Sequence, residues 1–143
     1  MSFKISPMRI ADYDAVLRLW QRTEGVGLNE SDTRAAIKAY LARNPGLSFV
    51  ARAEGEIVGA VLCGHDGRRG YLHHLAVEKT QRGRGLGRCL VRTCLTQLRR
   101  LGIPKCNIFL FADNTAGGSF WKHDGWRDRR DLRVMQKVIG QPE

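Results

Sequence analysis

Residues 81–88, with the sequence QRGRGLGR, carry the clearest chemical pattern in the chain. Glycines alternate with other residues at Gly83, Gly85 and Gly87, and glycine lets the backbone turn freely and approach a ligand closely. An amphipathic helical pattern starts directly after them, and the first N–H groups of a helix lack internal partners at the positive end of its dipole. This combination predicts a site for phosphate oxygens.

Charged side chains strengthen that prediction, because Arg82, Arg84 and Arg88 place positive charge where a diphosphate would bind. Two other phosphate-binding loops fit poorly. A P-loop needs Lys and then Ser or Thr after its last glycine, and a dinucleotide-binding loop needs GxGxxG after the first strand of a βαβ unit. The remaining alternative is a basic surface turn whose glycines only cap and turn the chain.

Residues that could carry protons lie in the strand-like segment just before this loop. Histidine titrates near neutrality and suits proton relay, so His73 is the first candidate for a general base, with Tyr71 beside it as a second catalytic candidate. Strand alternation places Tyr71, His73 and Leu75 on one face and His74 on the other. The alternative is that these are ordinary half-buried residues of a sheet.

The elements that position these residues follow from apolar periodicity. Strands are predicted over residues 3–9, 48–53, 56–64, 71–77 and 106–112, with two further strand-like pieces over 126–130 and 133–139. Helices are predicted over residues 13–20, 32–43, 86–101 and 115–123. Gly25 and Gly27 are expected to end the first helix, and Ser31 is expected to cap the second.

This order of elements predicts an α/β protein of the α+β kind, built around one mixed sheet in a single domain over residues 1–143. Three consecutive strands with short turns indicate an antiparallel meander. The strand–helix–strand piece over residues 71–112 should be a right-handed parallel crossover. The near-continuous apolar run at 106–112 is typical of a central strand.

Composition limits the function classes. The formal net charge of +10 attracts anions in general, but no helix-turn-helix, RRM or finger signature supports nucleic acid as a partner. No apolar run approaches the length of about 20 residues that spans a bilayer, and no secretory signal is apparent, so a cytoplasmic protein is expected. The four cysteines lack metal-ligand spacing, so no metal is expected.

Three segments together resemble the GNAT superfamily of N-acetyltransferases. Arg82-Gly83-Arg84-Gly85-Leu86-Gly87 resembles the family's acetyl-CoA signature, Q/R-x-x-G-x-G/A, and Leu75-Ala76-Val77 resembles the end of its fourth strand. Residues 114–126 (NTAGGSFWKHDGW) resemble the second family segment, Asn-x-x-A-x-x-φ-Y-x-x-x-G-F. The order of elements is similar over essentially the whole chain.

The resemblance implies a fold, a cosubstrate and a reaction. The fold would be a mixed, mostly antiparallel sheet with splayed fourth and fifth strands, flanked by four helices. The protein would transfer the acetyl group of acetyl-CoA to a primary amine of a small molecule or protein by direct attack. Main-chain groups at residues 83–88 would hold the diphosphate, and those of the fourth strand would hold the pantetheine arm. The implied cofactor-binding residues are Leu75, Ala76, Val77, Arg82, Gly83, Arg84, Gly85, Leu86, Gly87, Arg88, Asn114, Phe120 and Trp121.

Two departures from the family pattern leave a second function open. The usual tyrosine, an acid for the departing thiolate, is replaced by Trp121, whose indole donates a hydrogen bond but is no acid. Residues 107–111 also lack the strand glutamate that serves as base in many relatives. The alternative function is therefore an acyl-CoA-binding module without catalysis. The resemblance leaves the acceptor open, although Glu24, Glu30 and Asp32 would attract a cation, and it implies a homodimer through the last strands.

Overall fold

The computed structural model of the chain describes residues 2–140, which fall into two compact units, 2–111 and 112–140. The first unit contains a five-stranded sheet and three α-helices, and the second contains one α-helix. The strands are β1 (Lys4–Pro7), β2 (Phe49–Ala53), β3 (Glu56–His65), β4 (Gly70–Val77) and β5 (Cys106–Ile108). The helices are α1 (Tyr13–Gln21), α2 (Arg34–Arg43), α3 (Leu86–Arg100) and α4 (Thr115–His123).

The sheet has the strand order β1-β2-β3-β4-β5, and only the pairing between β4 and β5 is parallel. The predicted meander and the parallel crossover through α3 are thus confirmed. The predicted tight turn between β2 and β3 is also present, since Glu54 and Gly55 have φ values of 51° and 80°. Such a turn needs positive φ at both central residues to match the twist of the strands.

The last two strands of the sheet separate soon after they pair. Gly70, Tyr71 and Leu72 of β4 are partnered by residues 106–108 of β5, but β4 continues to Val77. Beyond Leu72 the edge of β4 that faces away from β3 therefore has no strand partner within residues 2–140. This confirms the splayed pair and leaves main-chain groups available for an extended ligand.

Helices cover both faces of the sheet. Val16, Leu19 and Trp20 of α1 are buried in a cluster that includes Ala60 of β3. The neighbouring Gly59 faces the opposite way, because a Cβ there would lie 3.1 Å from a methyl of Leu90 in α3. The two helices predicted over residues 13–20 and 86–101 therefore form close to their predicted bounds.

The predicted last two strands, 126–130 and 133–139, do not form in the structure. Apolar alternation indicates a strand only where another edge pairs with it, and here the side chains stay exposed, namely those of Leu132, Val134, Met135, Val138 and Ile139. The fifth strand is correspondingly shorter than predicted. It ends at Ile108 and lies at the edge of the sheet, not at its centre.

Smaller corrections concern the ends of the helices. Thr33, not Ser31, caps α2, because its Oγ1 accepts the N–H of Ala36 at 3.2 Å. Helix α1 ends at Gln21, before Gly25 is reached.

Across residues 2–140, no helix combines the length and apolarity needed to cross a membrane. The same residues contain no group of three or more side chains arranged to hold a metal ion.

Candidate active site

The glycine-rich loop turns the chain into α3 through two left-handed residues. Gly83 and Gly85 each have a φ of 81°, a conformation that L side chains adopt only at a cost. Gly85 is the N-cap residue, and its carbonyl accepts the N–H of Cys89 at 3.0 Å. Gly85 has no side chain that could accept the first N–H groups of the helix. An anion is therefore a suitable cap for it.

Arg82 anchors the loop to its neighbours. Its Nε donates to the carbonyl of Val77 at 3.0 Å, and its Nη2 lies 2.7 Å from Oε1 of Glu24. The guanidinium of Arg82 also holds the pKa of the Glu24 carboxyl below its ordinary value. The sequence predicts that Arg82 binds a diphosphate and that Glu24 attracts a cationic acceptor. In the structure the two side chains form an ion pair with each other.

A β-bulge interrupts β4 at His74. His73 pairs with Leu62 and Ala76 pairs with Ala60, so that two residues of β4, His74 and Leu75, oppose one residue of β3. His74 has a φ of 53°, which is uncommon for a residue other than glycine. A bulge of this kind re-aims the side chains that follow it. The predicted alternation is therefore wrong from His74 onward.

Both histidines of β4 face the side of the sheet that α1 and α2 cover. His73 lies edge-on to Tyr40 of α2, with ring centroids 6.3 Å apart, and His74 lies edge-on to Trp20 of α1 at 5.0 Å. Sequence alternation had separated the two histidines onto opposite faces. The extra residue in the bulge brings them onto the same face.

His73 belongs to an aromatic cluster. Its ring centroid lies 6.4 Å from that of Tyr71 and 6.1 Å from that of Phe109, with nearly parallel planes. Burial, followed by the nearby charge of His74, lowers the pKa of His73 below its ordinary value. His73 is therefore neutral near neutral pH, which is the form that accepts a proton.

His74 is held by the buried carboxylate of Asp32, a residue that the sequence analysis proposed only as an attractor of a cationic acceptor. Its Nε2 lies 2.9 Å from Oδ1 of Asp32, and the other oxygen of Asp32 accepts the N–H of Asn29 at 3.0 Å. The two side chains are 42 residues apart in sequence, so no local pattern predicts their contact. The spacing Asn-x-x-Asp at residues 29–32 is, however, a local capping pattern, and it predicts the hydrogen bond from the Asn29 N–H to the Asp32 carboxylate.

In the second unit, Asn114 begins α4. Its Oδ1 accepts the N–H of Gly117 at 2.9 Å. A Cβ on Gly117 would lie 2.6 Å from Nδ2 of Asn114, so this glycine leaves room for the capping side chain.

Trp121 is a packed residue of the second unit. It is 9% exposed and lies edge-on to Phe120 and Trp126, at centroid distances of 5.1 Å and 4.9 Å. Trp126 in turn donates its Nε1–H to Oδ2 of Asp124 at 3.1 Å. Edge-to-face aromatic packing of this kind stabilises the unit.

Comparison with known proteins agrees with this fold and loop. Residues 13–126 match the Acetyltransferase (GNAT) family, so the chain belongs to that family and is an acyltransferase by class. It is 34% identical over 113 residues to an acetyltransferase of Sodalis glossinidius, covering 79% of each chain.

Two solved structures have the same fold. The PaiA N-acetyltransferase of Thermoplasma acidophilum, solved in complex with coenzyme A, has a TM-score of 0.79 at 17% identity, covering 89% of this chain and 91% of that one. AAC(6')-Iy, in complex with the bisubstrate analogue CoA-S-monomethyl-acetylneamine, has a TM-score of 0.78 at 17% identity, covering 97% of this chain and 100% of the other. At such identities the likeness concerns the fold alone.

Proposed function

We propose that the protein is an N-acetyltransferase that moves the acetyl group of acetyl-CoA to a primary amine of a small molecule or protein. One observation carries the proposal: the glycine-turned start of α3 follows β4 after a single 3₁₀ turn, Lys79–Gln81, and the edge of β4 has no strand partner beyond Leu72 in the described chain. A diphosphate fits the first feature and an extended pantetheine arm fits the second.

The proposed cofactor contacts are mainly main-chain groups. The N–H groups of residues 83–88 would cap the diphosphate, and Arg84 and Arg88 would add charge. Leu75, Ala76 and Val77 would run alongside the pantetheine arm. The family resemblance implies three further cofactor-binding residues, Asn114, Phe120 and Trp121.

The proposed reaction is a direct attack. The ammonium of a lysine-like acceptor has a reference pKa of about 10.4, so it must first give up a proton. The neutral amine nitrogen then attacks the thioester carbonyl, the C–N bond forms, the C–S bond breaks and coenzyme A leaves as a thiolate. A main-chain N–H of β4 would stabilise the oxyanion of the tetrahedral intermediate. A hydrogen-bond donor of this kind stabilises the oxyanion most strongly where water is excluded from the site.

His73 is the proposed proton acceptor, with Tyr71 as its neighbour. Because burial lowers the pKa of His73, its basic form persists below the ordinary titration range of histidine. Turnover by the wild type should therefore fall only on the acid side of that range. The His73→Gln variant should be slower throughout about pH 6 to about pH 9. Undiminished turnover would remove His73 from this role.

The proposal as a whole is tested in two stages. Calorimetry with acetyl-CoA measures binding, and release of free coenzyme A thiol is then followed with a panel of primary amines and peptides. Binding with thiol release on at least one amine is expected. Absence of binding by the wild-type protein would overturn the assignment.

A second candidate function is an acyl-CoA-binding module without catalysis. Trp121 in the position of the family's tyrosine favours it, since an indole cannot protonate a thiolate. Binding of acetyl-CoA or a longer acyl-CoA, without thiol release on any amine, is the result that would select this candidate.

We also propose that the protein forms a homodimer in the cytoplasm. Residues 132–139 expose several apolar side chains, with Val134, Val138 and Ile139 between 70% and 89% exposed, and exposed apolar segments are typical of association surfaces. Sedimentation equilibrium should give twice the mass of one chain, and the Val134→Glu variant should give a lower mass than the wild type.

The proposed location in the cytoplasm is supported by the cysteines. All four are free thiols, as is usual in a reducing compartment.

A further inference from the structure

The bulge in β4 is stabilised by two side chains that lie outside the strand, those of Trp20 and Asp32. Trp20 of α1 donates its Nε1–H to the carbonyl of His74 at 3.2 Å, and its ring packs edge-on against the imidazole. The imidazole Nε2 lies 2.9 Å from Oδ1 of Asp32. One residue of β4 is thus fixed at both its main chain and its side chain, in a conformation that needs such support.

Asp32 is itself firmly placed. Its side chain is 8% exposed, and its Oδ2 accepts the N–H of Asn29 at 3.0 Å. Its main-chain carbonyl accepts the hydroxyl of Tyr13 at 2.6 Å. The segment between α1 and α2 is therefore coupled to the bulge through a buried carboxylate.

The orientation of the next amide follows from this arrangement. The described chain has no cis peptide bond, and in a trans peptide the N–H of one residue points opposite to the carbonyl before it. Because Trp20 fixes the carbonyl of His74, it also fixes the direction of the Leu75 N–H. Leu75 lies in the part of β4 whose outer edge has no strand partner within residues 2–140.

We propose that Asp32, His74 and Trp20 are positioning residues that orient the His74–Leu75 peptide so that its N–H polarises the thioester carbonyl. This inference rests on the proposed acetyl transfer. It assigns His74 a structural task in catalysis that does not require proton transfer. It also links the segment between α1 and α2 to the reacting carbonyl.

The kinetic test compares two substitutions of His74. Gln keeps an N–H donor that can reach Asp32, whereas Leu removes it. We expect His74→Leu to lower kcat by about tenfold or more, the effect of misplacing an oxyanion donor, with little change in the KM for acetyl-CoA. His74→Gln should retain most of the wild-type kcat. Wild-type kcat in His74→Leu would overturn the proposal, and so would equal impairment of the two variants, since that would indicate proton transfer by His74.

A spectroscopic test does not depend on turnover. The acetyl-CoA is labelled with ¹³C at its acetyl carbonyl, so that the stretching frequency of this group can be followed. On the wild-type protein this frequency should be lower than in water, because the hydrogen bond donated by the Leu75 N–H weakens the C=O bond. Trp20→Phe keeps a ring but removes the indole N–H, and Asp32→Asn removes the charge beside His74. Both should return the stretch toward its frequency in water. An unchanged stretch in both variants would overturn the proposal.

Asp12 provides a matched control for Asp32. It is also a buried acid that accepts a main-chain N–H, that of Arg9 at 2.9 Å, and it pairs with Arg52 away from the bulge. Asp12→Asn should lower stability but leave the carbonyl stretch at its wild-type value. Failure of the wild type to bind acetyl-CoA would overturn the proposed function itself. Normal binding and turnover with insensitive variants would overturn only the positioning role.

Discussion

At the scale of single residues, Tyr40 stands out because its hydroxyl is buried without a hydrogen-bond partner among the described residues. Burial raises the pKa of this phenol above its ordinary value. The hydroxyl also faces Gly64 closely, since a Cβ on Gly64 would lie 2.5 Å from it. Tyr40 therefore contributes apolar packing while its polar end remains unsatisfied.

Tyr40→Phe should leave the free energy of unfolding unchanged or raise it by about 1 kcal/mol, because it removes a buried polar group that has no partner. Urea denaturation followed by circular dichroism measures the change. A loss of more than about 1 kcal/mol would mean that the hydroxyl makes a hydrogen bond that stabilises the fold.

Gly64→Ala should lower the free energy of unfolding by about 1–3 kcal/mol, the usual cost of inserting a methyl group into a filled space. The cost should be smaller in the Tyr40→Phe background, because the hydroxyl that the new Cβ meets has gone. It should not vanish there, since Nδ2 of Asn44 would still lie 2.8 Å from that Cβ. Additive effects in the double-mutant cycle would contradict this contact.

Single residues were also where sequence reasoning failed most often. Thr33, and not the predicted Ser31, caps α2, because this helix begins two residues later than the sequence pattern predicts. The contact between Asp32 and His74 was not predicted because it joins two segments far apart in sequence. The bulge at His74 has no sequence signature, since neither glycine nor proline marks it.

At the scale of elements, the two ends of α3 allow a matched test of the glycine loop. Gly85 precedes the helix with a φ of 81°, and Gly102 follows it with a φ of 79°. Neither would meet another atom within 4 Å if it carried a Cβ. Alanine at either position therefore strains the backbone in the same way without creating a clash.

Gly85→Ala and Gly102→Ala should each lower the free energy of unfolding by about 1–2 kcal/mol, the cost of a left-handed alanine. Only Gly85→Ala should weaken acetyl-CoA binding, by about tenfold or more, because it alone distorts the helix start that would cap the diphosphate. Denaturation and calorimetry measure the two effects. Equal affinities for the two variants would argue against a diphosphate at this helix start.

Apolar patterns predicted α1 to α4 and β1 to β4 because each of these elements packs apolar side chains against neighbouring parts of the chain. It failed at residues 126–139, where alternation alone cannot supply a partner edge. It also overestimated β5, whose apolar run continues to Phe111 although its pairing ends at Ile108. The phosphate-binding loop was predictable because glycine spacing and a helix start are both local features.

At the scale of the whole molecule, the net charge of +10 should help to attract an anionic cosubstrate. Salt screens such attraction, since the Debye length falls from about 30 Å at about 0.01 M to about 3 Å at about 1 M ionic strength. Acetyl-CoA carries a diphosphate and a 3′-phosphate on its adenosine, whereas acetyl-pantetheine presents the same thioester without phosphate. A comparison of these two ligands therefore separates the contribution of the phosphate charges to the binding affinity from the contribution of the open edge of β4.

The affinity for acetyl-CoA should fall by about tenfold or more across this salt range, while the weaker affinity for acetyl-pantetheine should change little. Calorimetric titrations of both ligands in the same buffers measure the two slopes. Gly85→Ala should flatten the slope for acetyl-CoA, because the diphosphate loses its cap, whereas Gly102→Ala should keep the wild-type slope. Parallel slopes for the two ligands would show that the salt dependence does not arise from the phosphates of acetyl-CoA, and the glycine loop would lose its assigned role.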